Sequence, residues 1–217
     1  MSQLPLPIDW SERGDTGRLL MTSANADAVA LLRDWRRWPS PATLLVGPPK
    51  SGRTLLGRLF AAESGGTLVD DADRADETTL FNLWNAARDS GQMLLMIAQE
   101  APPLWAASLP DLRTRLATAA VARIAPPDEG VAAALIAHGL ERAGSAFAPG
   151  LPEFIARRVT RCYETVDRVV SALNAESLAS ARKLTVASAR RVLGQAGLLS
   201  PNLAVEEDES EGAGTGG

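Results

Sequence analysis

The chain has 217 residues and a formal net charge of −4, with 26 acidic against 22 basic side chains, enough for one or two domains with a proper core. That balance argues against nucleic-acid binding by the whole surface, and one cysteine with one histidine makes neither an internal disulfide nor a conventional zinc site. No apolar run reaches the ~20 residues of a membrane span and no basic-then-apolar leader opens the chain, so a soluble cytoplasmic protein with no membrane partner is expected.

Residues 1–17 read as an extended arm. Gln3-Leu4-Pro5-Leu6-Pro7-Ile8 is apolar, and its two prolines bar it from a helix interior or a central strand. It is either a tail packed on its own domain or a short peptide for another protein's apolar pocket. Asn25 or Asp27 can cap a helix over 28–35, which Trp38-Pro39-Ser40-Pro41 ends.

Residues 42–46 form an apolar β-type run. Gly47-Pro48-Pro49-Lys50-Ser51-Gly52-Arg53-Thr54 comes next, and then a helix over 54–62. Strand, glycine loop and helix are the setting of a phosphate-binding P-loop. The pattern G-x-x-x-x-G-K-[ST] is met at Gly47, Gly52 and Thr54, with Arg53 in the place of lysine.

A turn at 63–66 leads to a buried strand over 67–69 and then Asp70-Asp71-Ala72-Asp73. Apolar residues running into paired carboxylates match a Walker B element, with Asp70 and Thr54 for Mg²⁺ and Asp71 to orient water. The plainer reading is an acidic surface loop; the preceding glycine loop favours the first. Residues 78–90 read as an amphipathic helix with Leu80, Phe81, Leu83, Trp84 and Ala87 inward. Residues 93–98 read as a fully buried strand. Gln99 and Glu100 stand at its end, where open α/β sheets bind ligands. A short helix over 109–116 carries Arg113 and Arg115, and a last strand covers 121–124.

From Asp128 the pattern is helical only. Helices are expected from Asp128 to about residue 142, from 152 to 159, over 163–180 and from 185. The third has Val166, Val169, Val170, Leu173 and Leu178 as its apolar stripe, and the fourth turns Ala189, Val192 and Leu193 inward. Beyond 197 the chain turns acidic and glycine-rich, as in Glu206-Glu207-Asp208-Glu209, and is expected to lack fixed structure. The expected domains are an arm over 1–17, an α/β base over 18–127, a helical lid over 128–197 and a tail over 198–217.

This order of elements resembles the AAA+ family, and more narrowly the DnaA-related regulators of the Hda type. The likeness spans roughly residues 1–195. It rests on Phe81-Asn82-Leu83-Trp84-Asn85, Ser90-Gly91, Leu94-Leu95, Ala101-Pro102-Pro103, Pro126-Pro127-Asp128 and Ala181-Arg182-Lys183-Leu184-Thr185. Its most specific part is Leu109-Pro110-Asp111-Leu112-Arg113-Thr114-Arg115-Leu116. The resemblance implies an AAA+ P-loop domain with a parallel sheet and a small all-α lid. Between Arg53 and Asp70 there is room for one helix and one strand, where most relatives have a further pair, so the sheet is expected to be smaller by one βα unit.

The resemblance also implies partners. Gln3, Leu4, Leu6 and Pro7 match the motif that binds the DNA-polymerase sliding clamp, and Arg115 matches an arginine finger acting in trans. ADP or ATP would sit on residues 47–54 with Mg²⁺. Glu100 stands in for the sensor-1 acid, and Arg161 is the nearest substitute for a sensor-2 arginine, since Glu164 occupies that region. Arginine is forked and planar where lysine is a point charge, which weighs against efficient turnover by this chain itself. The expected function is a negative regulator of replication initiation in the bacterial cytoplasm. It would dock on the DNA-loaded clamp, meet DNA only through it, and stimulate hydrolysis on DnaA; a homo-oligomer is among the assemblies allowed. Two alternatives stand beside it: a self-sufficient small AAA+ ATPase or helicase loader, and a nucleotide-free adaptor with a vestigial loop.

Overall fold

The structure, a computed structural model, describes residues 7–8 and 19–200. Gln3, Leu4 and Leu6 of the clamp motif lie outside the described residues, as does the acidic tail beyond Ser200. The chain divides into two compact units, Met1–Pro126 and Pro127–Gly217.

The first unit opens with a two-residue ribbon. β1 (Pro7–Ile8) pairs antiparallel with β2 (Leu19–Leu20), in the register Pro7 to Leu20 and Ile8 to Leu19. Pro7 is admissible here because it is the first residue of a strand in a two-stranded ribbon, where a missing N–H donor is tolerated. Next comes α1 (Ala26–Arg33). Asn25 precedes it without capping it. Its Oδ1 accepts from Thr22 N at 2.9 Å and its Nδ2 donates to Leu20 O at 2.8 Å, so the side chain closes the preceding turn.

The remaining strands are β3 (Ala42–Val46), β4 (Thr67–Val69), β5 (Leu94–Ala98) and β6 (Ala120–Arg123). They form one parallel sheet in the order β4-β5-β3-β6. Every residue of β3 and β5 is buried, which is why both read as continuous apolar runs. β4 is a sheet edge and only half-buried. The sheet has four strands, the reduced size expected from the short spacing before Asp70.

Three helices complete the layers: α2 (Arg53–Ser64), α3 (Glu77–Ser90) and α4 (Pro110–Thr118). Leu44, Val46, Leu94, Met96 and Ala98 share one core with Leu80, Trp84 and Ala87 of α3 and Leu112 and Leu116 of α4. On the opposite face, α2 comes so close at Gly57 that a Cβ there would lie 2.7 Å from Ile97 Cδ1 and 2.9 Å from Leu68 Cδ1. Asp76 caps α3; the Thr79 hydroxyl and then its amide hold the Asp76 carboxyl below the usual carboxylate range. Phe81, expected inward, is half-buried.

The chain leaves β3 towards β4 and leaves β5 in the other direction, towards β6. With right-handed crossovers the two connections fall on opposite faces, and a crevice opens between the C-terminal ends of β3 and β5.

The second unit packs α5 (Glu129–Arg142), α6 (Leu151–Ala156), α7 (Tyr163–Ser180) and α8 (Val186–Gln195) around Ile136, Leu140, Ile155, Val169, Leu173 and Leu193. Asp128 and Cys162 cap α5 and α7, and Thr185 with Ser188 forms a capping box on α8. Leu178 departs from the expected stripe and is 74% exposed. Helical period carries the buried line 166–169–173 on towards 177, so Leu178 falls about 100° to one side. Among the described residues no helix is long and apolar enough to cross a membrane.

Candidate functional site

The glycine loop sits at the mouth of that crevice. Gly47 is required by packing: a Cβ there would lie 3.0 Å from both Ile124 Cβ and Ile124 O, and 3.3 Å from Ser51 Oγ. Gly52 has φ +87, a backbone that favours glycine. Lys50 takes φ 63 without glycine's freedom. Ser51 donates its amide to Pro48 O at 3.3 Å. Its side chain is 8% exposed and its Oγ has no hydrogen-bond partner.

α2 begins at Arg53 with Gly52 as its N-cap and no side-chain cap. Its first-turn N–H groups therefore form an anion seat, the arrangement by which glycine loops hold phosphate.

Thr54 and Asp70 meet beside this seat. The Thr54 hydroxyl donates to Asp70 Oδ2 at 2.8 Å, and Asp71 N donates to Asp70 Oδ1 at 3.0 Å. Neighbouring oxygens around a Mg²⁺ ligated at 2.0–2.1 Å are about 2.9 Å apart. The Thr54–Asp70 spacing of 2.8 Å fits such a pair, so the residues present suit a nucleotide-bound Mg²⁺. Asp71 itself is exposed, on a left-handed backbone with φ 47.

Arg53 turns across the crevice. Its Nη1 donates to Ala98 O, the last carbonyl of β5. One peptide further on, Gln99 N donates to Asp73 Oδ2 at 3.2 Å. The end of β5 is thus held from α2 by a cation and from the loop after β4 by an acid. Asp73 Oδ1 is buried with no hydrogen-bond partner. Sequence reasoning gave the acidic roles to Asp70 and Asp71 and gave none to Asp73; the only signal was its place in the same acidic string. Glu100 is exposed, one residue past this tie.

A second constellation lies on α3 and α4. Arg115 Nη1 donates to Asn85 Oδ1 at 2.8 Å, and the guanidinium carbon lies 4.3 Å from the centroid of the Phe81 ring. Phe81 and Asn85 are one helical turn apart, so a single face of α3 cradles the arginine. This contact is why Phe81 is half-buried. Glu77 on the same helix accepts from Ser108 N at 2.8 Å and from Leu109 N, fixing the start of α4. Among the described residues no carboxylate pairs with Arg115. Arg113 is exposed. Arg161 belongs to the second unit and is exposed just before α7. Of the clamp motif, Pro7 alone is described, in β1.

No protein-family model matches the chain. Among solved structures it is similar to domain III of the Thermotoga maritima replication initiation protein DnaA, with a TM-score of 0.69 and 16% identity over 83% of this chain and 95% of that one. It is also similar to a replication initiator DnaA bound to AMPPCP and single-stranded DNA, with a TM-score of 0.57, 10% identity and 70% of this chain covered. The Thermotoga maritima RuvB Holliday junction branch migration motor gives a TM-score of 0.59 and 13% identity over 77% of this chain. The chain spans 61% and 65% of the lengths of the last two. The fold, with its four-stranded parallel sheet, matches those of DnaA domain III and of RuvB.

Proposed function

We propose that this chain is a negative regulator of replication initiation: it holds an adenine nucleotide with Mg²⁺ and stimulates ATP hydrolysis on a DnaA-type initiator. Residues 47–54 and Asp70 hold the nucleotide and metal, Asp71 orients water there, and Glu100 completes the nucleotide contacts of this unit. The metal would draw charge from the phosphate oxygens. Arg53, tied to Ala98 O, links phosphate-loop occupancy to the end of β5. That role suits retention of ADP better than turnover.

The observation that carries this reading is the setting of Arg115. A guanidinium held by a neutral amide and an aromatic face keeps its full positive charge. It is positioned, and among the described residues no acid neutralises it. Such a group, presented to a partner's γ-phosphate, stabilises charge in the transition state of phosphoryl transfer. Docking on the DNA-loaded sliding clamp rests on the sequence of residues 3–7, and contact with DNA is through the clamp.

A self-sufficient ATPase is the second reading, favoured by the Thr54–Asp70 pair. Steady-state turnover by the purified chain, abolished by Asp71→Ala, would support it instead.

The test is a reconstituted reaction with ATP-loaded initiator and sliding clamp on nicked circular DNA. The chain should speed conversion of the initiator to its ADP form when clamp is loaded, and much less when it is absent. No acceleration with loaded clamp would overturn the proposal.

A further inference from the structure

The peptide between Ala98 and Gln99 is gripped at both poles by charged side chains. Its carbonyl accepts from Arg53 Nη1, and its N–H donates to Asp73 Oδ2 at 3.2 Å. β5 ends at Ala98, so this is the first peptide beyond the strand. In the parallel register of β4 with β5, Thr67 N donates to Met93 O at 2.8 Å, which turns the amides of Leu95, Ile97 and then Gln99 to the β4 side. A side chain, and not backbone, takes that last rung. Asp71 turns the chain away with φ 47, and its own N–H goes to Asp70 Oδ1 at 3.0 Å. The Asp73 carboxylate then returns from the tight turn Ala72–Arg74 to accept from Gln99.

This arrangement costs the fold something. Asp73 is half-buried, and its Oδ1 is buried with no hydrogen-bond partner among the described residues. An unfilled buried oxygen on a charged group lowers stability, and such groups gather where a site needs them. What the tie secures is the direction of one carbonyl. With its N–H pinned by Asp73, the peptide cannot rotate its oxygen away from Arg53. The side chain at this position of a phosphate loop ordinarily reaches the β- and γ-phosphates. Here it is committed to a carbonyl at the end of β5.

We propose that Asp73 is a positioning residue of the nucleotide site: through the Ala98–Gln99 peptide it keeps Arg53 off the phosphate seat and biases that seat towards a nucleoside diphosphate. The first-turn amides of α2 and the Thr54–Asp70 pair remain for two phosphates. A third phosphate lacks the cation that would otherwise meet it. The inference rests on the reading of residues 47–54 as a nucleotide site, and it assigns the choice between di- and triphosphate to a residue outside the glycine loop.

The test is calorimetry on the full chain with ADP and with AMPPCP, each with Mg²⁺, read as the ratio of the two affinities. Asp73→Ala unpins the peptide and releases Arg53, so AMPPCP is expected to gain about tenfold on ADP, the equivalent of one hydrogen bond from a charged donor. Asp73→Ser, too short to reach Gln99 N, should behave alike and serves if the alanine variant fails to fold in a urea melt. Asp73→Asn removes the charge but keeps an acceptor for Gln99 N, and its ratio should stay near native. Arg53→Ala added to Asp73→Ala should cancel the gain, since no cation is left to release. A gain shared by Asp73→Asn would reflect the loss of negative charge and overturn the proposal. An unchanged ratio in Asp73→Ala or Asp73→Ser overturns it too, while leaving the nucleotide site standing. No binding of either nucleotide by the native chain overturns both.

Discussion

Arg115 donates to Asn85 Oδ1 at 2.8 Å while its guanidinium lies 4.3 Å from the Phe81 ring centroid. The contact joins α4 to α3 and sets the direction of the one arginine to which sequence likeness assigns a catalytic role. Glu77, one helical turn before Phe81, pins the other end of α4 through Ser108 N and Leu109 N.

If this cradle aims the arginine, loosening it should cost rate without removing charge. Asn85→Ala is expected to lower stimulation of the initiator's hydrolysis by about 10–100-fold, because small misplacements of a catalytic group carry penalties of that order. Clamp binding should be unchanged. Single-turnover hydrolysis beside a clamp-binding titration checks both.

Arg53 should matter more to stability than to nucleotide affinity. A hydrogen bond from a charged donor contributes about 1.5–3 kcal/mol, and this one closes α2 onto the end of β5. Arg53→Ala is expected to reduce unfolding free energy in urea by about 1–2 kcal/mol. Calorimetry with ADP and Mg²⁺ should still show binding, since the α2 amides and the Thr54–Asp70 pair remain. Complete loss of binding with stability intact would assign Arg53 directly to the phosphates.

Gly47→Ala tests the packing of the loop. The new Cβ would meet the Ile124 carbonyl oxygen at 3.0 Å, and backbone cannot rotate out of the way. A loss of about 1–3 kcal/mol is expected, as for other overpacked sites, with weaker ADP binding because the loop must shift. Urea melts and the ADP titration report on the two effects separately.

Tyr163 offers a pH readout of the second unit. Burial, and then the charge of Asp128, raise its phenol pKa to about 12. Below the ordinary tyrosine pKa of about 10 both folded and unfolded chains keep the proton, so it contributes no pH dependence there. Between about 10 and 12 the unfolded chain loses the proton and the folded one keeps it, so stability falls as pH rises across that window. Tyr163 is the only tyrosine, so phenolate absorbance should titrate near 12 in the folded protein and near 10 after unfolding. Tyr163→Phe should flatten that part of the stability profile.

Local chemistry made much of the fold readable. Continuous apolar runs marked β3 and β5, since both are buried on two faces, and the short interval between Arg53 and Asp70 signalled the reduced sheet. The long-range ties were not readable. Arg53 reaches a carbonyl 45 residues away, and Asp73 an amide 26 residues away, and neither distance follows from a local pattern. Asn85 stood within a recognised string, but its role depends on how α3 crosses α4. Leu178 lies off the buried stripe by helical period itself, which runs from Leu173 towards Ser177, so its exposure was readable from spacing.

The most direct measurement of the central claim is single-turnover ATP hydrolysis by the initiator with clamp-loaded DNA, comparing the native chain with Arg115→Ala and Arg115→Lys. Loss of an arginine finger costs about 10³–10⁵ in rate where it has been measured. Both variants are expected to lose stimulation while retaining ADP binding and clamp binding, with lysine restoring little because it lacks the planar fork. Full stimulation by Arg115→Ala would contradict the claim.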